Sequence, residues 1–140
     1  MLELKTAGKN FDQRWLFKNL NLRAQAGEFI SILGPSGCGK STLLRILAGL
    51  DHLSEGQFIN HTSKTPGFVF QESCLLPWLT VYENVTIGIR QTSLNSNEIK
   101  QQVLKSLATV KLTEWANHFP HQLSGGMRMR VSIARALVNN

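Results

Sequence analysis

Eight residues, Gly34-Pro35-Ser36-Gly37-Cys38-Gly39-Lys40-Ser41, constrain this chain more than any other feature. The G-x-x-x-x-G-K-S spacing predicts a loop between a buried strand and a helix, a setting that turns successive backbone N–H groups onto an anion. Gly34, Gly37 and Gly39 supply the backbone freedom for that concavity. Lys40 adds a flexible charge that reaches outer phosphates, and Ser41 and Thr42 open the helix whose positive end faces them. The Ser41 hydroxyl suits Mg²⁺. The flanks agree with this reading. Phe29-Ile30-Ser31-Ile32-Leu33 is a short apolar run of buried-strand type. Downstream, Leu43, Leu44, Ile46, Leu47 and Leu50 recur at helical spacing, with Gly49 near the end.

A second motif follows at Leu123-Ser124-Gly125-Gly126-Met127. Met127, Val131, Ala134 and Val138 are spaced to form one core-facing helical stripe. Ser124 is a candidate N-cap, and the two glycines leave the first-turn N–H groups uncovered, which predicts a second phosphate site. Ser-Gly-Gly alone is a common helix start; downstream of a phosphate loop it is specific.

With these residues in place, the chain resembles the ATP-binding subunit of ATP-binding cassette (ABC) transporters, and more narrowly the nitrate/sulfonate/taurine importer group. The resemblance runs through Gly27-Glu28-Phe29-Ile30, Gly34 to Arg45, Ala48-Gly49-Leu50, Val69-Phe70-Gln71-Glu72, Leu75 to Thr80, Glu83-Asn84-Val85 and Pro120 to Met127. The narrower assignment rests on Leu75-Leu76-Pro77-Trp78. The resemblance implies an α/β P-loop fold: a parallel core sheet, peripheral antiparallel strands and an inserted helical subdomain. It implies ATP and Mg²⁺ as ligands. Phe11 matches the aromatic that stacks on adenine, in preference to Trp15, and Gln71 matches the glutamine that reaches Mg²⁺ and the attacking water. Lys40 and Gln71 are thus the expected catalytic groups, Ser41 and Gln71 the metal ligands. Ser124, Gly125, Gly126 and Met127 are expected to act across a head-to-tail pair of cassettes. Expected partners are permease subunits, a second cassette and, indirectly, an extracytoplasmic solute-binding protein. The expected place is the cytoplasmic face of the membrane.

Two departures stand out. Met127 and Met129 occupy positions where the family usually has glutamine. Only thirteen residues follow Met127, and they contain neither the apolar strand closed by two acids nor the histidine that family members carry next. The expectation is therefore a partial cassette, with residues 1–79 as strands and P-loop core and 80–135 as the helical subdomain. By itself it is expected to be inactive in hydrolysis.

Composition limits the alternatives. The 140 residues are 42% hydrophobic and 17% charged, which describes one globular domain. No stretch approaches the roughly 20 apolar residues of a membrane span, and Met1-Leu2-Glu3-Leu4-Lys5 opens an alternating strand rather than a signal peptide. The net charge of +6 invites a nucleic-acid partner. No Lys/Arg run exceeds two residues, however, and no aromatic-basic alternation accompanies them, so none is expected. Arg128, Arg130 and Arg135 share the second motif's helix and read as a solvated or subunit-facing surface. Cys38 and Cys74, and His52, His61, His118 and His121, show neither disulfide nor metal-ligand spacing. Cys38, beside Lys40 at a helix start, is a loop filler in a setting that favours a reactive thiol.

Along the chain, Leu2 to about Leu22 alternates as antiparallel strands, with a weak strand at Gln57 to Asn60 and a second core strand at Gly67 to Phe70. Asn95 with Glu98 forms a capping-box pattern, and Ile99, Val103, Leu107 and Val110 make one helical face. Pro120 breaks the chain before the last helix. The Leu75–Trp78 block with Tyr82 reads either as a contact for the permease or as internal packing. Two rival functions remain. A soluble cassette of repair or translation would need a coiled-coil insertion or a second cassette, and the chain has neither. The other is a remnant that at most binds nucleotide.

Overall fold

A computed structural model describes residues 1–61, 66–89 and 93–139. The chain divides into two compact units, Met1–Pro66 and Gly67–Asn140. Parts of the turn-rich stretch before Pro66 and of the helical subdomain lie outside the described residues.

In the first unit, β1 (Leu2–Phe11) lies between β2 (Arg14–Ala24) and β3 (Glu55–Asn60), all antiparallel. β1 and β2 form a hairpin closed at Phe11↔Arg14. Asp12 and Gln13 between them have φ of 46° and 71°, the positive angles that match a two-residue turn to strand twist. Irregular register near Thr6 breaks simple alternation, and Thr6 N–H donates to Asn21 Oδ1 at 2.9 Å. Helix α1 (Lys40–Leu47) supplies Leu43 and Ile46 as its buried residues. Leu43 joins Leu4 and Ala7 of β1 in a small core that Phe17, Leu22, Leu47 and Phe58 complete. Each such aliphatic side chain, fully buried, contributes about 1.5–3 kcal/mol.

The expected core strands are not formed. Residues 29–33 and 67–70 carry no strand pairing, and Phe29 and Leu33 are 93% and 88% exposed. A parallel strand draws its ladder from neighbours and hides both faces under helices. Among the described residues neither segment has such a neighbour, so apolar sequence alone does not make it a strand. Ile32 nevertheless packs against the Leu4–Leu43 core. An apolar cavity of about 150 Å³ lies beside it, lined by Leu2, Leu4, Leu22, Ile30, Leu44 and Leu47 among others.

The second unit is helical: α2 (Val81–Thr86), α3 (Ser96–Thr109) and α4 (Gly125–Leu137), with 3₁₀ turns at Thr113–Trp115 and Pro120–Gln122. Asn95 caps α3 by accepting from Glu98 N–H at 3.0 Å while Glu98 Oε2 accepts from Asn95 N–H at 2.8 Å, the reciprocal box read in the sequence. Pro120 sits at the start of its 3₁₀ turn, where its missing N–H costs nothing. Val81, Val85, Val103, Leu107, Val131 and Ala134 are all fully buried in one cluster, so the periodic faces meet each other.

Candidate functional site

The first unit carries the phosphate loop. Gly37 and Gly39 have φ of 79° and 96°, a region closed to most side chains, and Gly39 is the N-cap of α1. Gly34 has an ordinary φ, contrary to the sequence expectation. Its constraint is space, since a Cβ there would lie 2.8 Å from Cys38 Sγ. No side chain caps α1, so the first-turn N–H groups at Lys40, Ser41 and Thr42 face outward without intrahelical acceptors. Lys40 Nζ donates to the carbonyls of Gly34 (2.8 Å) and Pro35 (2.6 Å) and lies 3.6 Å from Cys38 Sγ. The ammonium is thus held inside the loop that its backbone donors outline. Ser36 is exposed and Cys38 partly buried.

Phe11 ends β1 with half its surface exposed, at 50%. Trp15, its rival in the sequence, pairs with Asn10 across the hairpin and carries Lys18 Nζ 4.7 Å from its ring centroid.

The second unit holds Gln71 and the Ser124 helix start. Gln71 is exposed, just after Phe70, whose ring meets that of Phe68 edge-on at 4.7 Å. Ser124 caps α4, its hydroxyl accepting from Met127 N–H at 3.2 Å. A Cβ at Gly126 would meet nothing within 4 Å, and at Gly125 only Arg128 Nη2 at 3.9 Å. Neither glycine has a positive φ. Neither backbone angle nor packing among the described residues demands a glycine here, and the open helix start remains as what they provide. Met127 packs against the unit's core.

Ser41 and Gln71 offer a hydroxyl and an amide oxygen, hard donors that suit Mg²⁺. Among the described residues no group of three His, Cys, Asp or Glu side chains could hold a metal. A hydroxyl and an amide oxygen are each a ligand type that a magnesium ion carrying phosphates and water accepts.

Several groups escaped the sequence reading. The three arginines of α4 are tied down rather than free: Arg128 donates to Leu123 O (2.7 Å), Arg130 to Val110 O (2.9 Å), Arg135 to Cys74 O (2.9 Å) and Ser73 O (3.0 Å). Arg135 thereby fastens the segment after Gln71 to α4. Asn84, fully buried, organises the next stretch. Its amide donates to Leu76, Leu79 and Thr80 carbonyls at 2.9–3.1 Å and accepts from Leu76 N–H at 2.8 Å. Thr80 and Glu83 form a further capping box, legible as T-x-x-E. Glu83 lies below its ordinary pKa because Thr80 N–H, then the Thr80 hydroxyl, donates to it. Within the block so framed, Leu75 and Tyr82 pack on the core while Trp78 is 69% exposed.

Comparison with known proteins bears on the family and the fold. The ABC transporter family model matches residues 17–140. The spermidine/putrescine import ATP-binding protein PotA of Pasteurella multocida is 43% identical over 148 aligned positions, spanning 99% of this chain and 40% of that protein. Its Vibrio cholerae counterpart is 42% identical, with 99% and 39% covered. Among solved structures, the dimeric post-hydrolysis state of the ATP-binding cassette MJ0796, bound to ADP and Pi, superposes with a TM-score of 0.86. It shares 39% identity, covering all of this chain and 70% of that one. The chain belongs to the ABC transporter family, as an α/β ATP-binding cassette domain of the P-loop type. It spans about two fifths of the length of these curated relatives.

The nitrate/sulfonate/taurine assignment is corrected by relatives named for spermidine/putrescine import. The physical reason lies in the motif that suggested it. Leu75 packs inward and Leu76 is bonded to Asn84, so these two positions of the block serve the packing of the loop itself.

Among the described residues no helix is long and apolar enough to cross a membrane.

Proposed function

We propose that this chain is the nucleotide-binding part of the energy-coupling subunit of an importer, binding ATP as its Mg²⁺ complex and contributing to its hydrolysis. The observation that carries the reading is the loop itself. Two left-handed glycines, a helix start with no side-chain cap and a lysine ammonium are concentrated within Gly34–Thr42. In this reading Lys40 and the loop N–H groups hold the β and γ phosphates, and Ser41 and Gln71 would hold the metal. Bound there, magnesium neutralises phosphate charge. Gln71 also orients the attacking water. The exposed Phe11 ring stacks on adenine, as an aromatic face suffices to do.

Ser124, Gly125 and Gly126, with Met127 behind them, present a second anion-binding helix start to a partner cassette. The open space at both glycines supports this. Trp78, exposed on a loop pinned by Asn84 and Arg135, is the proposed contact with a permease at the cytoplasmic face of the membrane. A solute-binding protein is served only indirectly. The relatives' names favour a polyamine as the solute over an oxyanion.

The test is equilibrium binding of Mg-ATP to parent and Lys40→Ala chains of equal helicity. Loss of most affinity is expected; affinity within twofold of the parent would defeat the assignment. Uptake by the assembled transporter decides the solute, because stimulation by taurine or nitrate but not by spermidine would reject the polyamine reading.

A further inference from the structure

Lys9 belongs to no motif, yet among the described residues it is the one lysine or arginine that is buried, at 8% exposure. Its ammonium donates to Asp51 Oδ1 and to the His52 carbonyl, both at 2.7 Å. The same Nζ lies 4.8 Å from the centroid of the Phe11 ring. The acceptors come from the segment that follows α1. Gly49, with φ 73°, turns the chain out of the helix, and Ser54 then binds β1 twice. Its N–H donates to Gly8 O at 2.9 Å and its hydroxyl accepts from Asn10 N–H at 3.1 Å. Asp51 is fixed in turn, since its Oδ1 also accepts from His52 N–H at 2.7 Å.

Burying an ammonium is unfavourable unless hydrogen bonds and an opposite charge replace its water. Here one carboxylate and one carbonyl do so, and the ring supplies a third partner. A cation within about 6 Å of an aromatic centroid is attracted to the negative face of the ring. Phe11 has no polar atom with which to fix its own plane, and half of its surface meets solvent. Lys9 stands over the ring while half of the residue's surface stays open to solvent.

We propose that Lys9, held by Asp51 and the His52 carbonyl, is a positioning residue that sets the Phe11 ring as a platform for the purine of a nucleoside triphosphate. This rests on reading Phe11 as the base-stacking residue. A ring ordered in advance loses less freedom on binding, which strengthens contact with the base and leaves contact with the phosphates unchanged.

Titration calorimetry on the 140-residue chain with Mg-ATP and with magnesium tripolyphosphate, which has no base, separates the two contributions. Lys9→Met is expected to weaken ATP binding about three- to five-fold while tripolyphosphate affinity stays unchanged. Asp51→Asn moves in the same direction, and Lys9→Met adds nothing once Phe11→Ala is present, as coupling between the two side chains requires. Equal weakening of both ligands by Lys9→Met would mean that Lys9 only braces the fold, which overturns the proposal. Unchanged ATP affinity in Lys9→Met, with ATP binding weakened by Phe11→Ala, would overturn the role of Lys9 and leave the platform standing. Phe11→Ala with no selective effect on ATP would defeat the platform itself, and the proposal with it. If Lys9→Met does not fold, Asp51→Asn is judged by the same criteria, with Lys9→Arg expected to retain ATP affinity.

Discussion

At the scale of single residues, two side chains hold the loops that matter. Lys40 bonds to the carbonyls of its own loop and to no core group, so its loss should be felt in ligand binding and little in folding. Asn84 is the opposite case. Asn84→Ala would leave the Leu76 N–H and the Leu79 carbonyl without the amide that pairs them, while the Leu76 and Thr80 carbonyls keep backbone donors in Leu79 N–H and Asn84 N–H. Leaving such groups unpaired costs about 1–3 kcal/mol each, so a loss of about 2 kcal/mol is expected in urea denaturation. A loss below about 1 kcal/mol would show that water replaces the amide. Lys40 was legible because phosphate chemistry imposes a spacing. Asn84 was not, because its role depends on which carbonyls the folded loop presents to it.

Among the elements, α4 shows how one position serves stability and the proposed function separately. Ser124 caps the helix through Met127 N–H, and Ser124→Ala should destabilise the unit by about 1 kcal/mol. Ser124→Arg should in addition block ATP-dependent pairing of cassettes in an assembled subunit while sparing ATP binding to one copy. Normal pairing by gel filtration with ATP would reject the across-dimer role. The link between α1 and β1 carries a pH signature. Asp51 is held below its ordinary pKa of 3.8, first by the Lys9 ammonium and then by His52 N–H. The folded chain therefore binds this proton less readily than the unfolded chain. The stabilisation is complete above the unfolded value and is lost as pH falls through the lower folded one. Asp51→Asn should flatten acid unfolding of the parent below about pH 4; an unchanged acid limb would show that the pair contributes nothing there. Glu83, lowered by Thr80, titrates with the same sign in the other unit.

For the whole molecule, the exposed Phe29 and Leu33 dominate expectation. Large apolar side chains that face water mark surfaces that associate. The 140-residue polypeptide should therefore self-associate at micromolar concentration, and Phe29→Lys with Leu33→Lys should shift it toward monomer in sedimentation velocity. A monomeric parent would show that these residues find cover within the chain. The same segment marks the limit of sequence reading. The apolar run 29–33 has strand composition, but pairing is a property of neighbours and the run by itself could not supply them.

What the amino-acid order determined by itself was local. The phosphate loop, the Asn95–Glu98 cap, the Pro120 break and the apolar stripe of α4 all follow from interactions within a few residues, where spacing dictates geometry. Tertiary structure alone decided the rest. It tied Arg135 to Cys74, seated Lys9 between Asp51 and the Phe11 ring, and made Gly34 a matter of room rather than of angle. The bonds from Arg135 to Cys74 and from Lys9 to Asp51 join residues 61 and 42 positions apart, so they exist only once folding has set their distances, and no periodicity in the sequence encodes them.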